Sequence, residues 1–243
     1  MAAMVTAPVR TRVLGVPVDV CDVRATALDL QRRGDAQVVT LNAEMTMAAR
    51  ANPALGAAIA AADLVIPDGA GVVWALGRQG SRVRRCPGIE LARWLLEHGA
   101  AIGWRVALVG ASPEVMERLR LRLAQDLPGL NLVFSAHGYQ PAEAWPGLES
   151  QLLAARPDLV LVALGVPRQE LWIQDLPRPR TGLWMGVGGS FDVWAGVKKR
   201  APDWMSALQI EWLYRLIKEP TRWRRMLALP DFAWQVLRER DPG

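Results

Sequence analysis

The 243-residue chain has little to offer a metal ion. It contains two cysteines and two histidines. Cys21 and Cys86 are far apart and neither belongs to a C-x-x-C or Cys/His cluster, so two buried or idle thiols in a reducing compartment are expected, with no disulfide and no metal site. His98 and His137 alone argue against a histidine-based metal centre. No D-x-D pair occurs, so the Mg²⁺/Mn²⁺-diphosphate site of many nucleotide-sugar enzymes is not visible. A P-loop is missing, and so is G-x-G-x-x-G. The nearest stretch, "GVGGSFDVWAG", has Gly186, Gly188 and Gly189 but Phe at 191, which weakens a dinucleotide oxidoreductase reading. Long apolar runs are missing too. "LVLVALGV" (Leu159–Val166) is strand-length, short of the roughly 20 residues of a transmembrane helix. The start, "MAAMVTAPVRTRVLG", lacks the apolar centre of a secretory signal. A protein kept in the cytoplasm that does not cross a membrane is expected.

What the chain does have is an ordinary globular composition, 51% hydrophobic and 22% charged, and length for one large α/β domain or two small ones. Short apolar runs bounded by turn residues recur: "QVVTLN" (Gln37–Asn42), "DLVIPD" (Asp63–Asp68), "RVALVG" (Arg105–Gly110), "NLVFSA" (Asn131–Ala136), "LVLVALG" (Leu159–Gly165) and "LWMGVGG" (Leu183–Gly189). Such runs are the pattern of parallel strands covered on both faces. Helical stretches lie between them. In "SPEVMERLRLRLAQDLPG", Ser112 caps, Pro113 takes the first helical position, and Pro128-Gly129 stops the helix. The alternation predicts an α/β fold, an open, mostly parallel Rossmann-like sheet flanked by helices over residues 1–196. "RVLGVPVDV" reads as a small hairpin before it.

After Gly196 the strands stop, and residues 197–243 read as a helical, basic, Trp-rich, membrane-associating appendage. Seven of the eleven tryptophans lie from Trp172 onward. From Lys198 to Arg225 there are eight Lys and Arg against three Asp and Glu, an excess equal to the +5 of the whole chain. Such a segment attracts phosphates of lipid, nucleic acid or substrate. On a helix starting at Leu208, an apolar arc of Leu208, Trp212, Leu213, Leu216 and Ile217 faces away from Glu211, Arg215 and Lys218. That arc suits a membrane surface or the α/β body equally.

Ligands of open α/β sheets bind beyond the carboxyl ends of the strands, so polar residues there are the candidates. Thr40 and Asn42, two apart, point the same way from the first strand end; they read as capping residues or as ligand contacts. Asp68 ends the next strand with Gly69 and Gly71 after it. It suits a helix N-cap or a general base in a cleft that the glycines open to substrate. Arg84 and Arg85 read as phosphate ligands or as a solvated pair. Arg168, Gln169 and Glu170 open a helix whose N-terminus favours anions, and the Gln169 amide suits sugar hydroxyls. Gly188, Gly189 and Asp192 of the glycine-rich stretch complete the candidate substrate contacts.

These stretches together resemble the WecG/TagA/CpsF family of bacterial glycosyltransferases. The resemblance covers nearly the whole chain. It runs through "TLNAE", "ADLVIPDGAGVVWAL", "GIEL", "RVALVGASPE", "HGY", "PDLVLVALGVPRQELWI", "GVGGSFDVWAG", "RAPDW" and "EWLYRLIKEPTRWRR" in order. Glu90 stands where the family usually has Asp, and Gln209 where it usually has Gly. The resemblance implies transfer of a sugar from a UDP-sugar, with inversion, to an undecaprenyl-diphosphate-linked acceptor at the cytoplasmic membrane face, for cell-surface polysaccharide or teichoic acid. It implies N-acetylmannosamine or a related hexose or uronic acid as the donor sugar, and no metal or other cofactor. By position, Asp68 matches the catalytic base, and Thr40, Asn42, Arg85 and Gln169 match active-site residues, with Arg85 and Gln169 beside the base. Arg215, Arg222 and Arg225 match arginines that reach the substrate diphosphates. The expected partners are the UDP-sugar, the lipid-linked acceptor and the membrane surface. No nucleic acid is expected, and a homo-oligomer is left open. The competing reading is a non-catalytic membrane or nucleic-acid-binding module that uses the basic tail alone.

Overall fold

The computed structural model describes residues 8–202, 204–205, 211–218, 220 and 223–239. Strands β1 (Val9–Val13) and β2 (Val16–Val20) form an antiparallel hairpin. The six strands expected from the apolar runs all form: β3 (Ala36–Leu41), β4 (Leu64–Pro67), β5 (Arg105–Gly110), β6 (Asn131–Ala136), β7 (Leu159–Ala163) and β8 (Leu183–Gly186). They make one sheet in the order β4–β3–β8–β7–β5–β6, and every pairing is parallel.

The helices cover both faces. They are α1 (Val23–Arg33), α2 (Ala43–Ala51), α3 (Pro53–Ala61), α4 (Ala70–Arg78), α5 (Gly88–Ile102), α6 (Pro113–Asp126), α7 (Trp145–Ala154), α8 (Arg168–Asp175) and α9 (Ser190–Trp194). Three more follow in the C-terminal segment: α10 (Glu211–Lys218), α11 (Trp223–Met226) and α12 (Ala228–Arg238). Alternate strand residues point to opposite faces, and the core divides accordingly. Val38, Ile66, Leu108, Leu161 and Met185 pack with Leu91 and Leu95 of α5, Leu119 of α6 and Phe191 of α9. On the other face, Val39, Leu41 and Val65 meet Met45, Leu55 and Val72. Val160, Val162 and Trp184 meet Leu152 and Ile173 on that face too. Burial on both sides is why these strands read as continuous apolar runs.

The α6 cap forms as its sequence predicts: Ser112 Oγ accepts from the Val115 N–H at 3.2 Å. The hairpin protects a sheet edge. Asp19 of β2, 1% exposed, accepts from the Val65 N–H of β4 at 2.7 Å and takes two 2.8 Å bonds from Arg10. A buried carboxylate is tolerated there because paired donors offset its desolvation, and an exposed strand edge is avoided.

The C-terminal segment touches the body in two different ways. In α12, Phe232 and Val236 are 2% and 4% exposed and join the cluster containing Met45 and Val72. In α10, Glu211 turns inward and its Oε1 accepts from Arg85 at 3.1 Å. The expectation had put Glu211 on the polar side opposite an apolar arc. Glu211 faces the body, while Trp212 and Ile217 of that arc are 42% and 64% exposed, the orientation of an arc turned away from the body. Leu208 and Arg222 lie outside the described residues, as do the side chains of Arg215 and Arg225 on α10 and α11.

Candidate active site

After β3 the chain leaves for α2 on one face of the sheet; after β8, the adjacent strand, it leaves for α9 on the other. Divergent exits from neighbouring parallel strands open a crevice at their carboxyl ends. Two groups of the candidate residues border it.

The first group comes from β3 and β4. The Asp68 and Gly69 amides both donate to Leu41 O, which fixes the end of β4 against the end of β3. Asp68 Oδ1 accepts from the Gly88 N–H, the first residue of α5, at 3.0 Å. Gly88 in turn lies against Thr40, whose Cγ2 would stand 2.6 Å from any Cβ at position 88. Gly69 sits against Asn42 in the same way, with 2.8 Å between their Cβ positions. Thr40, Asn42, Asp68, Gly69 and Gly88 thus form one packed corner, and the glycines are what allow it. Asn42 is also the N-cap of α2, accepting from Met45 N–H at 2.9 Å. Asp68, by contrast, does not cap the α4 that follows it: Gly69 occupies the cap position and makes no side-chain bond. Its carboxylate reaches across to a different helix.

The second group comes from β7 and β8. Gln169 and Glu170, in the first turn of α8, are each 2% exposed. Gln169 Oε1 accepts from the Gly165 N–H at 3.2 Å and from the Gly188 N–H at 3.1 Å. Its Nε2 donates to Glu170 Oε1 at 2.7 Å. One amide therefore ties together the loops that end β7 and β8. Gly188, at φ +50°, holds a left-handed conformation that favours glycine. Burial pushes the Glu170 carboxyl up to about 7.

The remaining candidates divide. Arg85 lies beside the first group, on the loop whose Cys86 N–H bonds to Pro67 O at the end of β4. Its partner Glu211 also stands 3.7 Å from Arg200, which reaches Glu90 Oε1 at 2.5 Å. Arg85, Glu211, Arg200 and Glu90 form a charged chain from the site to α10. The Glu90 side chain is about half exposed, and its carboxylate pairs with Arg200. Arg168 goes elsewhere: its guanidinium stacks over Trp145 of α7 at 5.3 Å. Gly189 caps α9, and Asp192 pairs with Lys198 at 3.6 Å. A cleft of about 370 Å³ runs beside Glu90, lined by Arg24, Trp94, Trp194 and Arg200 among others.

Three participants escaped the reading of the sequence: Gly88 as the donor to Asp68, Glu211 as the partner of Arg85, and Glu170 as the partner of Gln169. Only Gly88 left a local signal, since Pro-Gly before an amphipathic run marks a helix start whose free amides attract carboxylates.

A parallel α/β sheet with a carboxylate, a buried amide and an arginine gathered at its strand ends is the framework of an enzyme that works on a polar substrate laid across that edge. More particularly, the chain belongs to the glycosyl transferase WecG/TagA/CpsF family, whose model matches residues 11–242. It is a glycosyltransferase. It is 36% identical over 222 residues to the N-acetylglucosaminyldiphosphoundecaprenol N-acetyl-beta-D-mannosaminyltransferase of Bacillus spizizenii, with 90% of this chain and 84% of that protein covered. The protein of the same name in Bacillus subtilis is 34% identical over 207 residues, covering 84% and 80%.

Proposed function

We propose that the enzyme is an inverting glycosyltransferase that moves N-acetylmannosamine, or a closely related hexose or uronic acid, from a UDP-sugar to an acceptor sugar on undecaprenyl diphosphate. The names of the two Bacillus relatives support the lipid-linked acceptor and the mannosaminyl group. The observation that carries the reading is the Asp68 carboxylate, held at the crevice by one helix amide and flanked by Thr40 and Arg85's loop.

In this reading the acceptor hydroxyl attacks the anomeric carbon while Asp68 takes its proton. The bond from that carbon to the UDP oxygen breaks, and UDP leaves with the bonding electrons. A single displacement needs a single base and inverts the centre. Arginines offset the charge that develops on the departing diphosphate: Arg85 from the body, and Arg215, Arg222 and Arg225 from the C-terminal segment.

The segment also suits a membrane surface reached from the cytoplasm. Trp204, Trp212, Trp223 and Trp234 are between 42% and 60% exposed, in the part of the chain that holds the basic excess. Tryptophan favours the bilayer interface, and each basic residue adds about 1 kcal/mol near anionic lipid. No helix among the described residues is long and apolar enough to cross a membrane.

The test is UDP release from a panel of UDP-sugars with a GlcNAc-diphospho-lipid acceptor, alongside flotation with anionic liposomes. Release that depends on the acceptor is expected, fastest with UDP-N-acetylmannosamine. A protein that floats yet releases no UDP with any donor would favour the non-catalytic membrane module.

A further inference from the structure

Gln169 makes an unusual demand on its surroundings. Its oxygen must accept both loop amides, so its nitrogen must point the other way, into a space that is 2% exposed. A buried amide N–H without an acceptor is costly, and a flipped amide would set N–H against N–H. Glu170 fills that space. Its Oε1 accepts from Nε2 at 2.7 Å. Its other oxygen, Oε2, is buried and has no hydrogen-bond partner among the described residues. For stability alone this is a poor choice, because a half-satisfied buried carboxyl costs more than an apolar side chain of similar volume. The backbone has also been cleared for the pair. A Cβ at Gly186, the last residue of β8, would lie 2.5 Å from Gln169 Nε2 and 2.9 Å from Glu170 Oε1.

We propose that Glu170 is a positioning residue: its carboxyl group fixes the orientation of the Gln169 amide, which then holds the Gly165 and Gly188 loops together as one wall of the crevice. Glu170 touches no substrate in this role. Its effect on turnover passes through Gln169 and the two loop amides. The consequence for catalysis rests on the glycosyltransferase reading above; the consequence for the loops does not.

The discriminating variant is Glu170→Met. It nearly preserves volume and removes both buried oxygens, so its melting temperature is expected to match or exceed that of the wild type. Hydrogen exchange, read by mass spectrometry on peptides spanning Gly165 and Gly188, is expected to speed up at least tenfold, and kcat to fall at least tenfold. Glu170→Gln keeps an acceptor at Oε1 and is expected to restore both within about threefold. In a double-mutant cycle, Glu170→Met added to Gln169→Ala is expected to cost little beyond Gln169→Ala alone, because both break one link. A Glu170→Met protein with wild-type exchange and turnover overturns the proposal. So does an additive cycle, or a kcat loss shared by Met and Gln while both loops stay protected, since the carboxylate would then act on substrate directly. If Met at 170 does not fold, Gln169→Ala must release the same two amides, and their continued protection would equally overturn the proposal. A wild type that releases no UDP, but whose loops respond as described, sinks the functional reading and leaves the positioning role standing.

Discussion

The two sides of the crevice handle polar groups in opposite ways. At the ends of β3 and β4, Thr40, Asn42 and Asp68 are all partly exposed, and the Asp68 carboxylate is steadied by the Gly88 amide. At the ends of β7 and β8, Gln169 and Glu170 are 2% exposed and spend their hydrogen bonds on backbone and on each other. A group that must exchange a proton with substrate needs access. A group that must hold a loop needs the low dielectric and fixed partners of the interior. Under the function proposed above, the difference separates a side that reacts from a side that shapes, and each prediction below strains one of the two.

The largest effect is expected on the reacting side. Asp68→Asn is isosteric and its Oδ1 still accepts from Gly88 N–H, so the corner should stay folded and UDP affinity should change little. Loss of a positioned general base typically lowers turnover by about two to four orders of magnitude. The check is kcat for UDP release together with UDP affinity by calorimetry. Wild-type turnover in a folded Asp68→Asn protein would make Asp68 a packing residue and dissolve the distinction between the two sides.

On the shaping side the effect falls on stability. The Glu170 carboxyl titrates at about 7 in the folded protein because burial disfavours its charge, against roughly 4.5 when unfolded. The folded state therefore binds the extra proton. The stabilisation is complete below about pH 4.5 and is lost as pH rises through 7. A raise of this size corresponds to a stability difference on the order of 3 kcal/mol. Glu170→Gln cannot ionise. It should equal the wild type in stability near pH 4.5 and exceed it by about 3 kcal/mol above pH 8, as read from urea midpoints at the two pH values. A constant difference across that range would mean that the carboxyl is not desolvated as its burial implies.

How much of this contrast can be read from sequence follows from where the information lies. Five of the six strands were legible because burial on both faces leaves a local trace, an apolar run between turn residues; the edge strand β6 keeps such a run although it is only partly buried. Asp68 was legible as a strand-end carboxylate, but that it leaves the cap of α4 to Gly69 and takes the first amide of α5 instead was not. The Gln169 link was not legible, because it depends on Gly188, nineteen residues away, and on a backbone cleared at Gly186. The partner of Glu211 was not legible for a related reason. Helical periodicity places Glu211 opposite the apolar arc, and only the placement of Arg85 shows that a charged partner waits on the body. Arg168 looked like an anion ligand at a helix start until Trp145 was found beneath it.

A smaller effect is expected from the C-terminal arginines to which the proposed function assigns the substrate diphosphate. A charge-assisted hydrogen bond to phosphate contributes about 1.5–3 kcal/mol, so Arg215→Gln, Arg222→Gln and Arg225→Gln should each lower kcat/KM by roughly tenfold or more with a lipid-linked acceptor. Liposome flotation run in parallel separates catalysis from adhesion, since one lost charge near a bilayer costs only about 1 kcal/mol. Three variants with full turnover would confine the segment to attachment.

The smallest effect is an expected absence of change, and it bears on how the reacting side supplies positive charge. A departing diphosphate must be neutralised by a metal ion or by fixed cations. Among the described residues no three of His, Cys, Asp or Glu stand together as a metal site, and the sequence has no D-x-D pair. Arginines are present instead. Arg85 is only 16% exposed, and its planar guanidinium presents a fork suited to phosphate oxygens. It is occupied by Glu211 in the structure, so a diphosphate would have to compete with that carboxylate. The arginine reading requires the more highly charged diphosphate to win that competition. Turnover in excess EDTA should therefore match turnover in Mg²⁺ within experimental error. A complete loss restored by Mg²⁺ would show that the metal, held with substrate oxygens, supplies the charge assigned here to arginine, and the Arg85–Glu211 pair would then serve to dock α10.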